Sequence, residues 1–121
     1  MSKNLRPRFN PMMAGPICSI VLQVNDVSYK AREVLIDILS CAKTYNLALP
    51  VFPRVVTLQK WLGCSESTIR RALRELVEAD YIIREPQERK THGRLATVRT
   101  VLTHRVAAIA GLPYDPKGCY R

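Results

Sequence analysis

The stretch Thr57–Ala79, TLQKWLGCSESTIRRALRELVEA, decides how this chain folds. Leu58, Trp61 and Leu62 fall at i, i+3 and i+4 and share one face of a short helix. Gly63 ends that helix, because a residue in left-handed conformation is cheapest as glycine. Ser65 is placed to cap the helix that follows, its hydroxyl accepting from an orphan backbone N–H one turn further in. Ile69, Ala72, Leu73 and Leu76 then form an apolar stripe, with Glu66, Ser67, Arg70, Arg71 and Arg74 on the opposite face. The pattern is a tight helix–Gly–helix corner whose second helix has a basic, hydroxyl-bearing outer face.

Such a corner alone has two readings. Any αα-corner has a glycine in its turn and an apolar stripe behind it, and arginine on an exposed helix is ordinary. A DNA-binding helix-turn-helix has the same features. The sequence after Ala79 separates them. Tyr81–Glu85 is β-prone, Pro86–Arg94 is polar with Gly93, and Leu95–Thr103 (LATVRTVLT) is β-prone again. Two strands of matching length joined by a polar, basic loop predict a β-hairpin. A hairpin directly after the second helix of a helix-turn-helix is a wing.

Charge points the same way. The chain carries a net charge of +9, unevenly placed. Before Asp26 the only charges are Lys3, Arg6 and Arg8. Beyond Glu88 stand Arg89, Lys90, Arg94, Arg99, Arg105, Lys117 and Arg121 against Asp115. Basic ends around a mixed middle suit a polyanion, since each phosphate contact releases counterions. Lipid is the weaker partner, because no basic amphipathic helix with large apolar residues is present. No apolar run approaches the ~18 residues of a membrane span, so a soluble, cytoplasmic protein associated with the nucleoid is expected. Cys18, Cys41, Cys64 and Cys119 have no CxxC spacing and no neighbouring histidine, which argues against a zinc site. No Gly-rich phosphate loop or triad appears either, so neither an enzyme nor a cofactor is predicted.

Residues 1–16, with three prolines, read as a flexible basic arm. Ile17–Val24 (ICSIVLQV) is apolar and β-branched; a short strand is favoured, with a packed helical extension as the alternative. Asn25, Asp26 and Ser28 are candidate caps for a helix over Tyr29–Tyr45, striped by Ala31, Val34, Leu35, Ile38, Leu39 and Ala42. Pro50 and Pro53 make a loop of Asn46–Arg54, with Val51-Phe52 as a short extended piece. His104–Gly111 suits a short helix capped by Thr103. The domain plan is an arm over 1–16, a folded domain over 17–103 and a helix with a tail over 104–121.

On these residues the chain resembles the winged helix-turn-helix DNA-binding proteins of bacteria, plasmids and phages, over about Tyr29–Thr103. Pro53, Leu58, Leu62, Gly63, Ser65, Thr68, Ala72, Leu73 and Leu76 stand at the family's spacing, with Ile69 for its valine and Cys64 for a small apolar residue. The resemblance implies an α+β, mainly α fold, a three-helix core with a C-terminal β-hairpin wing. Three positions depart from it. Arg54 stands where a capping serine is usual, so the first helix of the corner is expected to start near Thr57. Gln59 replaces a small alanine, and Asp80 takes the usual glycine position, where aspartate tolerates left-handed geometry. GntR-like regulators and the DNA-binding domains of replication initiators are the nearest subgroups.

The resemblance also implies roles. The helix 66–79 enters the major groove of double-stranded DNA, N-terminal end first. Ser65, Ser67 and Thr68 suit phosphate oxygens, and Arg70, Arg71 and Arg74 suit base edges, above all guanine. Arg71 or Arg74 has an alternative as an ion pair with Glu75 or Glu78. Glu66 repels phosphate unless it accepts from cytosine N4. The wing, residues 86–94, offers Arg89, Lys90, Thr91, His92 and Arg94 to backbone or minor groove. A transcriptional regulator, in simplest form a repressor bound to a palindrome as a homodimer, is the first expectation. Plasmid or phage replication or partition proteins bound to origin or centromere-like repeats are the second, and a protein-interaction module or non-specific binder the third. For the homodimer, Ile17–Val24 and His104–Leu112 are the apolar segments outside the expected core. No small-molecule effector is evident.

Overall fold

In a computed structural model that describes residues 13–51, 53–86 and 98–116, the elements run α1 (Ala14–Gln23), α2 (Tyr29–Ser40), α3 (Val55–Leu62), α4 (Glu66–Glu78), β1 (Ile82–Pro86), β2 (Val98–Leu102) and α5 (His104–Ala110). The architecture is mainly helical with one antiparallel hairpin after the helices, the winged-helix arrangement. Leu35, Ile38 and Leu39 of α2, Leu58 of α3 and Ile69, Leu73 and Leu76 of α4 are buried together with Ile82 and Leu102 of the hairpin. Each such side chain contributes about 1.5–3 kcal/mol on leaving water. The corner therefore stands on α2, as its apolar stripe requires.

One polar device ties α2 to α4. Ser28 caps α2, its Oγ accepting from Ala31 N at 3.2 Å. The same hydroxyl donates to Glu75 Oε2 at 2.8 Å, and Ser28 N donates to Glu75 Oε1 at 2.9 Å. One carboxylate on α4 thus grips the N-terminus of α2, where the helix dipole favours negative charge. Between α3 and α4, Gly63 adopts φ 64°, ψ 39° and donates to Gln59 O at 2.8 Å. Asp80 takes the same left-handed conformation, φ 64°, at the turn from α4 into the hairpin, as its sequence position predicts.

The hairpin register pairs Ile82 with Leu102, Arg84 with Thr100 and Glu85 with Arg99. Val51 lies along the outer edge of β2 and exchanges both backbone hydrogen bonds with Thr100, at 2.8 and 2.9 Å; of the expected extended piece Val51-Phe52, Phe52 lies outside the described residues.

Several expectations need correction. Ile17–Val24 is not a strand: it belongs to α1 and its C-cap, and α1 begins inside the segment read as an arm. Met13, Ile20 and Val24 are buried and Ile17 partly so, a helical spacing that burial against α5 rewards over β propensity. Pro16 fits because it stands in the first helical turn, which lacks N–H acceptors anyway. Helix α2 stops at Ser40 rather than Tyr45. Beyond that end Asn46 ties the loop to the C-terminal segment, its side chain holding Ala48 N and both backbone groups of Asp115. Helix α3 starts at Val55, not near Thr57, with Arg54 in the cap position and no side-chain cap bond. Thr103 precedes α5 but does not cap it through its side chain. Its Oγ1 instead donates to Asp80 O at 2.7 Å.

Candidate nucleic-acid interface

Helix α4 is anchored on one side and open on the other. Ser65 occupies the cap position, and its Oγ accepts from Thr68 N at 3.3 Å. Thr68 Oγ1 and Ser67 Oγ lie 2.9 and 3.2 Å from the Ser65 oxygen. The three hydroxyls form one cluster at the positive end of the helix dipole. Behind them Ile69, Ala72, Leu73 and Leu76 are buried. Arg70, Arg71 and Arg74 all reach solvent on the far side.

The three arginines differ. Arg70 Nε lies 2.7 Å from Glu66 Oε2, a pair one helical turn apart and 58% exposed at both ends. Such an exposed pair contributes under about 0.5 kcal/mol, so it orients the guanidinium more than it stabilises the fold. Arg71 and Arg74 make no ion pair among the described residues, and Glu75, a partner weighed for them, is held by Ser28. Glu66 thus has a role the sequence reading did not give it, as the partner of Arg70.

The hairpin stem adds a residue that the sequence reading missed. Arg84 alternates onto the face that carries buried Ile82 and Leu102, not onto the outer face with Ile83 and Glu85. It is half-buried, and burial first, then the Arg70 charge, pull its pKa below the usual guanidinium value. Strand alternation was the signal, and it was readable in Ile82–Arg84. On the outer face Arg99 Nε lies 3.6 Å from Glu85 Oε1. The wing-tip residues Arg89, Lys90, Thr91, His92 and Arg94 lie outside the described residues.

At the other end of α4 the charges are tied into the fold. Tyr81 Oη donates to Asp26 Oδ1, and Arg105 Nη2 donates to Asp26 Oδ2 at 2.9 Å. Arg105 also donates to Ala79 O and lies 4.2 Å over the Tyr81 ring. The Tyr81 hydrogen bond, then that of Arg105, holds the Asp26 carboxyl below its ordinary pKa. Burial and the Asp26 bond push the Tyr81 phenol up to about 12. This network joins the α1–α2 linker, the end of α4 and the start of α5. Among the described residues no group of three or more His, Cys, Asp or Glu is placed to hold a metal, and no helix is long and apolar enough to cross a membrane.

Comparison with known proteins agrees with this geometry. A family model described as helix-turn-helix domain matches residues 28–82, from the cap of α2 to the first residue of β1. No curated protein matches the sequence. Among solved structures the chain is similar to RV1404 from Mycobacterium tuberculosis, with a TM-score of 0.52 and 20% identity. The match covers 82% of this chain and 58% of that one, and at such identity it speaks to the fold alone. The part of the chain similar to that helix-turn-helix model, residues 28–82, holds α2, the corner made by α3, Gly63 and α4, and the first residue of the hairpin that follows.

Proposed function

We propose that the chain is a sequence-specific double-stranded DNA-binding protein that acts as a transcriptional regulator, in simplest form a repressor that occludes a promoter. One observation carries this reading: Arg71 and Arg74 stand on the solvent face of a helix whose other face is locked in the core, and no acid of the described chain takes them. Free guanidinium groups on a rigid helix suit bidentate contacts to guanine O6 and N7. In this reading α4 lies in the major groove, and Ser65, Ser67 and Thr68 bind backbone phosphate at the helix N-terminus. Arg70, held by Glu66, reaches the same groove. Arg89, Lys90, His92 and Arg94 of the wing contact backbone or minor groove.

The test is selection from a random duplex pool, followed by competition between the selected site and a scrambled duplex. The expected preference is about 10³-fold or more. Equal binding to both duplexes overturns the regulator reading.

A homodimer belongs to the same proposal. Helix α1 is apolar on nearly every side, yet Cys18 is exposed, Val21 is 42% exposed and Leu22 is 75% exposed. A helix apolar all round normally has neighbours all round. A second copy packed on α1 supplies the missing one and gives two-fold symmetry for a palindrome. Sedimentation measures it directly: wild type sediments as a dimer and Leu22→Glu as a monomer. Wild type that sediments as a monomer at high concentration contradicts the pairing.

A further inference from the structure

We propose that the surface hollow between the end of α2, the loop before α3 and one side of α3 binds a small monocarboxylate with an apolar body. The inference goes beyond the DNA-binding reading and does not depend on it.

Shape, lining and charge carry it. The hollow has a volume of about 430 Å³, within the roughly 300–1,000 Å³ of small-molecule sites. Its walls come from three parts of the chain. Cys41 closes it at the C-cap of α2, and Pro50, Val51 and Pro53 line it from the loop. Arg54, Thr57 and Trp61 complete it, at i, i+3 and i+7 along one side of α3 from its cap onward. The lining is mostly apolar, and Arg54 supplies its charge. That guanidinium is exposed, and among the described residues no ion pair occupies it. Cys41 adds no negative charge, because burial, then Asp37, push its thiol pKa up.

The ligand class follows from these groups. One cation without an acid beside it suits one negative charge, and apolar walls suit an apolar body next to that charge. A carboxylate meets the planar guanidinium fork with two parallel hydrogen bonds. A phosphate dianion carries more charge than this single cation offsets. A hydrocarbon chain laid along Pro50, Pro53 and Trp61 leaves water, which drives the apolar part of binding. The position also matters to the fold. Val51 is bonded to Thr100 of β2 at 2.8 and 2.9 Å, and α3 leads through Gly63 into α4. An occupant therefore touches both the segment that pairs with the hairpin and the first helix of the corner.

Trp61 is the only tryptophan of the chain, so its emission reports occupancy directly. The full chain is titrated with hexanoate, which does not absorb where indole does. Equilibrium dialysis of labelled hexanoate measures binding independently of the emission. Saturable binding with a Kd of about 1 mM or below is expected, together with a change in Trp61 emission. Hexanamide keeps the shape without the charge, and acetate keeps the charge without the body. Each is expected to bind about tenfold more weakly or worse. Arg54→Gln is expected to abolish the preference for hexanoate over hexanamide. Lys60→Gln removes an exposed cation from another side of α3 and is expected to keep that preference. Arg54 makes no side-chain cap bond, so Arg54→Gln is expected to melt like wild type. If it melts early, the comparison of hexanoate with hexanamide on wild type decides the need for charge. No bound hexanoate at millimolar concentration overturns the proposal, as does equal binding of hexanoate and hexanamide. An unchanged preference in a folded Arg54→Gln overturns it too. Binding in dialysis that leaves Trp61 emission unmoved places the ligand elsewhere and has the same consequence. None of these outcomes bears on DNA binding, which the duplex competition decides separately.

Discussion

The two ends of α4 use arginine in opposite ways. At its C-terminal end Arg105 is committed to the fold, held by Asp26, by the Ala79 carbonyl and by the face of Tyr81. On its outer face Arg71 and Arg74 are committed to nothing within the described chain. The first arrangement spends charge on fixing the helix, and the second keeps charge in reserve. A helix that reads DNA needs both, since a free guanidinium discriminates only when its backbone does not move.

This contrast can be broken from either side. The largest expected effect is on the core beneath both ends: Leu76→Ala should cost roughly 2–5 kcal/mol in denaturant unfolding, with DNA binding lost in proportion to the unfolded fraction. On the outer face, Arg74→Ala should leave unfolding within about 0.5 kcal/mol of wild type while it costs roughly 1–3 kcal/mol of binding to the selected site. A loss of stability there would place Arg74 with the anchoring residues instead. At the corner, Gly63→Ala should cost about 1–2 kcal/mol from backbone strain alone, because an added Cβ meets nothing within 4 Å.

The smallest effect is the most local, and it lies in the pH dependence. Tyr81→Phe removes one hydrogen bond to Asp26, and the expected cost at neutral pH is about 1 kcal/mol. The Asp26 pKa is lower in the folded chain than the ordinary 3.8, so its contribution is present above that value and disappears as pH falls through the folded pKa. The Tyr81 pKa is raised from 10.0 to about 12, so its contribution is complete below 10.0 and disappears as pH rises through 12. Phenolate absorbance should show a late-titrating tyrosine near that upper value, missing from Tyr81→Phe. If both proteins titrate alike, Tyr81 is not held as described.

How much of this was legible beforehand follows the range of each interaction. The corner was readable because its determinants are local: Gly63 and Ser65 work within one turn, and the Ile69–Leu76 stripe needs only helical period. The end at Asp80 was readable for the same reason. Helix α1 was the second choice behind a strand because its residues suit a strand, and its packing against α5, distant in sequence, and against α2 favours the helical alternative. The grip of Glu75 on Ser28 spans 47 positions and has no local signature. The Asp26–Tyr81–Arg105 network is non-local in the same way. Arg84 is the intermediate case: alternation gives its face, but its half-burial and the unpartnered Nε come from the fold.

The central claim is that the free cations of α4 read bases, and position-resolved specificity tests it most directly. Each base pair of the selected site would be changed in turn, and affinity measured for wild type, Arg71→Ala and Arg74→Ala. The account predicts that each variant loses discrimination at one or two adjacent positions and keeps it at the rest. A uniform fall in affinity across all positions, with the pattern of preference intact, would make these arginines backbone contacts and contradict the claim.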